Sequence, residues 1–292
     1  MTSTSPMTLP SFSMQGKVCM VTGAARGLGF EFCRAFVQSY AKILPSLLEF
    51  PLNHPSRGCT SLAILDLKVD ETKAAAQELA QYAIEYCKLE ADKIKFVGIE
   101  CDVSSEESVQ KAFKVIMDNF GRIDVVVASA GIVENYPALD YPAERVKRLY
   151  DVNVHGVFYT AREGARNMIP NGGGSIILIS SMSANIVNIP QLQAPYNASK
   201  AAVKHMAASL AVEWAKQGVR VNTLSPGYML TKLTRTILEK DVELKNTWER
   251  LTPMGRMGEP EDLSGAIVFL ASDASKFMTG SEIRVDGGYC VI

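Results

Sequence analysis

The feature that most limits how this chain can fold is a repeated alternation of short, unbroken apolar runs with longer helical stretches. The runs are residues 17–21, 61–65, 94–99, 123–128, 174–179 and 220–224, and helical segments such as 28–39 and 74–87 follow them. A strand that is apolar on both sides must be covered on both sides, as happens in a parallel sheet flanked by crossover helices. The expectation is a doubly wound α/β fold. Ser104-Ser105-Glu106-Glu107 has the S-x-x-E form of a capping box and is expected to open another helix. No linker, charge run or repeat divides the chain, so residues 16–292 are expected to form one domain behind a flexible Ser-, Thr- and Pro-rich lead-in, 1–15.

Composition removes several function classes. With 47% hydrophobic residues, the chain is too apolar to be mainly disordered. Thirty Lys and Arg against 31 Asp and Glu leave no overall field to recruit nucleic acid or anionic lipid. Six scattered cysteines without a C-x-x-C pair, and only three histidines, lack zinc-site spacing, so no metal is expected. Unpaired cysteines fit a reducing compartment. The first residues have neither the charged nor the apolar region of a secretory signal, and no apolar run nears the ~18 residues of a membrane span. Cys290 is third from the end, which is not a prenylation box. The expected setting is cytoplasmic, with no nucleic-acid or membrane partner.

Two motifs carry chemistry. Thr22-Gly23-Ala24-Ala25-Arg26-Gly27-Leu28-Gly29 joins the first apolar run to the first helix. Glycines there let the backbone turn tightly and approach a phosphate, while the helix N-terminus presents free N–H groups and partial positive charge. Turns and helix caps use glycine too, so it is the strand before and the helix after that favour a dinucleotide site. The second motif is Tyr196-Asn197-Ala198-Ser199-Lys200, whose Tyr and Lys share one helix face. A free phenol, with a pKa of about 10, exchanges protons poorly near neutrality. A neighbouring ammonium and an oxidised nicotinamide would lower that pKa, as carbonyl reduction requires. Alone, such a pair is an ordinary surface contact.

The T-G-x-x-x-G-x-G spacing, followed by Tyr196 and Lys200, resembles the classical short-chain dehydrogenase/reductase family, from about residue 16 to the C-terminus with one interruption. The resemblance implies a Rossmann-type domain with a mostly parallel seven-stranded sheet. It places Gly23, Arg26, Gly27, Leu28 and Gly29 around the dinucleotide, Asp66 on the adenosine ribose, and Asp102 and Val103 on adenine. Ser129, Ala130 and Gly131 match the family's N-N-A-G turn only in the last two positions, and Ser129 could replace part of the missing amide contact. Asn153 resembles an asparagine that holds a proton-relay water. Tyr196 would be the acid/base, and Lys200 would lower its pKa and hold the nicotinamide ribose. A serine polarises the substrate oxygen. Ser183 has the family separation of 13 from the tyrosine, but Ser181, 15 away, sits at the end of the apolar run, and that position favours Ser181. In 225–231, Met229 would offer backbone and Thr231 a hydroxyl to the nicotinamide carboxamide. The stretch 280–288 resembles the family's last strand and closing turn.

Asp66 would repel a 2′-phosphate by about 4 kcal/mol at ~4 Å and an effective dielectric of ~20, whereas Arg26 could pair with one. NAD is expected, with NADP the alternative. Residues 186–195 carry Asn188, Gln191 and Gln193, whose amides suit a polyhydroxylated ligand. The stretch is similar to the fungal branch of the family that interconverts sugar alcohols and ketoses, such as sorbose reductases, mannitol dehydrogenases and arabinitol 2-dehydrogenases. That implies an NAD(P)-dependent oxidoreductase acting on a secondary alcohol and its ketone, a polyol/ketose pair, with a helical substrate flap at 230–256. Rivals are a ketoreductase of an acyl thioester or polyketide carbonyl and a catalytically disabled nucleotide-binding paralogue. A small-molecule carbonyl or alcohol substrate and a homodimer or homotetramer are expected.

One stretch interrupts the pattern. The acidic residue should follow the glycine motif by about 20 residues, yet Gly29 to Asp66 is 37, and removing 40–57 leaves 19. That stretch holds Pro45, Pro51 and Pro55 among Ile43, Leu44, Leu47, Leu48, Phe50 and Leu52. It reads either as a partner or oligomer loop or, the favoured alternative, as a short intron of 54 nucleotides retained in frame.

Overall fold

The computed structural model describes residues 9–39 and 58–291. In chain order it contains β1 (Val18–Thr22), α1 (Gly27–Gln38), β2 (Ser61–Asp66), α2 (Val69–Glu85), β3 (Lys95–Glu100), α3 (Glu106–Phe120) and β4 (Val125–Ala128). Then follow α4 (Ala143–Tyr150), a π-helical turn (Asp151–His155), α5 (Gly156–Met168), β5 (Gly174–Ile179), α6 (Ala194–Trp214) and β6 (Val219–Pro226). The chain closes with α7 (Lys232–Leu238), α8 (Val242–Arg250), α9 (Ser264–Ala271) and β7 (Glu282–Val285).

Successive strand side chains point to opposite faces, and the apolar runs supply both. Cys19, Val21, Leu62, Ile64, Val125, Val127, Ile177 and Ile179 pack into one layer with α1, α2 and α9. Met20, Ala63, Leu65, Val126, Ala128, Ile176 and Leu178 pack into the other with α3, α5 and α6. The sheet order is β3-β2-β1-β4-β5-β6-β7. Every pairing is parallel, so the expected mostly parallel sheet is wholly so. The strand order reverses between β1 and β4, and beyond their carboxyl ends lies the crevice where doubly wound sheets bind ligands.

Three local expectations are corrected. α2 begins at Val69 rather than 74, because Asp70 and Glu71 favour the positive end of a helix and Thr72 is buried on the face of Ala75, Ala76 and Leu79. The capping box does not form. Ser105 is the N-cap of α3 and accepts from the Ser108 N–H at 3.3 Å, while Ser104 donates from its hydroxyl to the Asp102 carboxylate at 2.6 Å. The lead-in is described only from Leu9, and there it is docked. Pro10–Phe12 form a 3₁₀ turn, Phe12 lies 6.0 Å from the ring of Phe269, and Met14 is wholly buried.

The 40–57 segment lies outside the described residues. Its flanks are described and adjacent: the Cys59 N–H donates to the Phe36 carbonyl at 3.0 Å, and a side chain on Gly58 would collide with the Val37 carbonyl. Among the described residues no helix is long and apolar enough to cross a membrane.

Candidate active site

The β1–α1 turn is built around close backbone approach. Gly23 has φ +66°, and a Cβ there would sit 2.8 Å from Ala130 Cα; one on Gly29 would collide with the Gly23 carbonyl. Glycine is therefore required where the turn, the first turn of α1 and the end of β4 converge. Arg26 is the extended N-cap of α1 and provides no side-chain cap, so the N–H groups around Gly27, Leu28 and Gly29 remain free for an anionic ligand. This donor set fits a dinucleotide pyrophosphate. Asp66 ends β2 beside the turn, its carboxylate accepting from the Ala25 N–H at 3.1 Å and the Leu67 N–H at 2.8 Å. Asp102 is exposed beyond β3, and Val103 is buried against Gly156.

Thr22 was not among the expected site residues, yet its hydroxyl accepts from the Ser129 N–H at 3.0 Å and the Ala130 N–H at 3.2 Å. It thus ties the end of β1 to the turn after β4, where the N-N-A-G match is incomplete. The threonine stood beside Gly23 in the motif, but only the β1–β4 pairing reveals its partner. Gly131 follows, and a Cβ there would lie 3.4 Å from both Asn153 Oδ1 and Lys200 Nζ.

Asn153 lies in the π-helical turn, a wider turn often found at functional sites. Its Oδ1 accepts from the Ile132 N–H at 2.8 Å, and its Nδ2 donates to the Ile132 carbonyl at 2.9 Å and to Ser199 Oγ at 3.2 Å. One amide hydrogen therefore clamps the turn after β4 and the other reaches Ser199 of α6, so both are engaged with protein.

Ser181 and Ser183 flank Met182 just past β5. The Ser181 hydroxyl donates to Ser183 Oγ at 2.9 Å and accepts from the Ser183 N–H at 3.1 Å, and it is the serine that acts on the Tyr196 phenol. Tyr196 and Lys200 rise from the start of α6, with Nζ 5.7 Å from the Tyr196 ring centroid. Lys200 is 5% exposed and donates to the Ile179 carbonyl at 3.0 Å. Burial lowers its pKa to about 8. Burial likewise pushes the Tyr196 phenol above its ordinary value, with the neighbouring Ser181 hydroxyl pulling the other way. In the free protein desolvation therefore dominates, and at neutral pH the phenol keeps its proton.

Beyond β6, Met229 pairs with Gly258 in a short parallel bridge. The Met229 carbonyl accepts from the Thr231 N–H at 2.9 Å and from Thr234 Oγ1 at 2.7 Å. The Thr231 hydroxyl caps α7, accepting from the Thr234 N–H at 3.3 Å, so in the free protein it serves the flap helix. The stretch expected to be a substrate flap holds two short helices, α7 and α8, and Leu238, Trp248 and Met257 form a small apolar core there. The amides of Asn188, Gln191 and Gln193, expected to meet a ligand, bond to other side chains instead. Among the described residues no group of three His, Cys, Asp or Glu side chains is placed to hold a metal.

Residues 57–290 match the family described as enoyl-(acyl carrier protein) reductase. The D-arabinitol 2-dehydrogenase [ribulose-forming] of Candida tropicalis is 41% identical over 286 residues, spanning 96% of this chain and 95% of its own. The chain belongs to the short-chain dehydrogenase/reductase family. A sorbose reductase of Candida albicans is 40% identical, covering 96% of this short-chain enzyme and 89% of its own length. Among solved structures, a short-chain dehydrogenase/reductase from Mycobacterium marinum superposes with a TM-score of 0.81 at 37% identity, covering 96% and 97% of the two chains. Membership makes this chain an oxidoreductase, with its glycine turn, Tyr196 and Lys200 at the carboxyl edge of the sheet.

Proposed function

We propose that this short-chain enzyme interconverts a polyol and its ketose, using NAD. The observation that carries the proposal is the Ser181–Tyr196–Lys200 group beside the glycine turn, with Ser181 and Lys200 buried and Tyr196 half-buried, in a chain whose relatives are named for arabinitol, sorbose, mannitol and galactitol. When bound, the nicotinamide supplies or accepts the hydride at carbon. In ketose reduction, Tyr196 gives its phenolic proton to the substrate oxygen while Ser181 holds that oxygen by a hydrogen bond. Lys200, still mostly protonated at neutral pH, stabilises the phenolate left behind and holds the ribose hydroxyls. In oxidation the same phenolate takes the alcohol proton. Asn153, through Ile132, fixes the turn against which the cofactor lies.

Asp66 supports NAD: its carboxylate is held at the ribose edge by two backbone N–H groups and would repel a 2′-phosphate. Arg26 is exposed on the helix cap and offers the competing contact. Relatives are named for NADH and for NADP, so the preference is decided by residues of this chain. Six free cysteines fit a reducing, cytoplasmic setting. Val212 and Phe277, large apolar side chains left exposed, fit burial in a homodimer or homotetramer, which sedimentation would read.

The family description names an acyl-carrier substrate, which sustains an acyl-thioester carbonyl as the second reading. Turnover across C5 and C6 polyols, ketoses and acyl thioesters, each with NADH or NADPH and its oxidised form, separates the two. Polyol/ketose turnover with NAD preferred is expected, and preferential turnover of acyl thioesters would replace the proposal. Asp66→Ala should move preference toward NADP, and tighter binding of NADPH than NADH by the wild type would contradict the cofactor assignment.

A further inference from the structure

Tyr228 follows Pro226-Gly227 at the end of β6, and three parts of the site meet on its ring. Its face stacks on Trp248 of α8, with centroids 4.0 Å apart and planes 9° apart. Tyr289, near the C-terminus, meets it edge-on at 5.3 Å. Such pairs stabilise beyond the area they bury. The hydroxyl accepts from Asn188 Nδ2 at 3.0 Å. Asn188 Oδ1 in turn accepts from Gln193 Nε2 at 2.9 Å, which also reaches Asn197 Oδ1, beside Tyr196, at 3.0 Å. Gln191 closes the circuit. With its amide oxygen toward the indole it accepts from Trp248 Nε1 at 3.0 Å, and its nitrogen faces the Tyr228 hydroxyl at 3.2 Å.

This arrangement joins the flap, the loop before the acid/base tyrosine and the strand end that precedes the cofactor segment. Asn188 and Gln193 are buried, and their amides are engaged with protein, so they form a scaffold and not a set of free ligand contacts. The Tyr228 phenol is pushed up to about 12 by burial and stays protonated, so it is no rival to Tyr196 as the acid/base. We propose that Tyr228 is a positioning residue: it latches α8 and the 186–193 loop to the end of β6 and so sets the wall of the substrate pocket. The substrate class at that wall rests on the polyol/ketose proposal above; the latch does not.

The chain has two tryptophans, Trp214 and Trp248, so Trp214→Phe leaves Trp248 as the sole indole emitter. In that background, acrylamide quenching reads whether α8 is latched, whatever the substrate proves to be. Tyr228→Leu, which removes stack and hydroxyl, should raise the quenching constant severalfold, and Tyr228→Phe, which keeps the ring, should raise it less. Tyr228→Phe should also raise KM for polyol and ketose about tenfold, near the worth of one net hydrogen bond, with a far smaller change in kcat. Dinucleotide affinity should stay within about twofold, since the phenol hydroxyl faces the loop and flap. If Tyr228→Leu does not fold, Tyr228→Phe and Asn188→Ala still remove the hydrogen bonds and decide the question. Unchanged quenching together with unchanged KM would overturn the latch. A wild type inactive on every polyol and ketose would instead defeat the substrate assignment, while the quenching series would still read the latch.

Discussion

Lys200 holds its charge in a nearly closed site, and its pKa of about 8 gives stability a definite dependence on pH. Below about pH 8, folded and unfolded chains are both protonated there, and the folded state bears the full cost of the buried charge. Between about 8 and the ordinary 10.5 the unfolded chain binds more protons, so stability rises with pH; above that range the cost is gone. A shift of this size corresponds to about 3 kcal/mol as an upper bound. Lys200→Met should therefore have its greatest stability relative to wild type at pH 7, and the advantage should shrink by up to about 3 kcal/mol by pH 10. Urea denaturation of both proteins at the two pH values measures this, and a constant difference would contradict it. The adjacent serines offer a second contrast. Ser181 acts on the Tyr196 phenol, whereas Ser183 accepts from the Ser181 hydroxyl and donates its N–H back to it, so Ser181→Ala should reduce kcat/KM about 10²-fold and Ser183→Ala several-fold at most. A larger loss at Ser183 would reverse the assignment. At this scale the sequence reveals what is local. Tyr196 and Lys200 share a helix face, and Gly23 and Gly29 sit at a strand–helix turn. Thr22, Tyr228 and the cap formed by Thr231 were not legible, because their partners lie far along the chain or compete with the expected ligand for the same hydroxyl.

Strands could be read from their apolar runs, since both sheet faces are covered and such strands are buried on both. Helix starts were less legible where polar residues precede the apolar face: α2 begins before its apolar stripe, and α3 begins one serine later than the motif indicated because Asp102 takes Ser104. The same scale tests the segment 40–57. Across it, the Phe36 carbonyl accepts from the Cys59 N–H. With the 18 residues removed, this becomes the six-residue bond of a Schellman cap, with Gly58 in the position that favours glycine. Deleting 40–57 should preserve the fold, leave kcat/KM within about twofold and improve solubility as a stretch rich in apolar residues is lost. Thermal unfolding, assay and soluble yield of the deletion variant check this. A variant that cannot fold or assemble would show the segment to be a structural element.

For the whole molecule, the sheet order gathers chemistry from distant parts of the chain at one edge. The β1–β4 reversal brings the glycine turn, Asp66 and the Ser129–Gly131 turn together. β5 and α6 then set Ser181, Tyr196 and Lys200 beside them, while α7 and α8 follow β6. Crossover order is absent from local pattern, whereas the fold class followed from the alternation of strands and helices, and the family from motif spacing. The central claim is that this edge reduces a ketose with Tyr196 as proton donor. Its most direct test is ketose-dependent NADH oxidation by wild type and Tyr196→Phe, with dinucleotide binding measured on both. Wild-type turnover should fall about 10²–10⁴-fold in the variant while dinucleotide affinity is retained. Near-wild-type turnover by Tyr196→Phe would contradict the account.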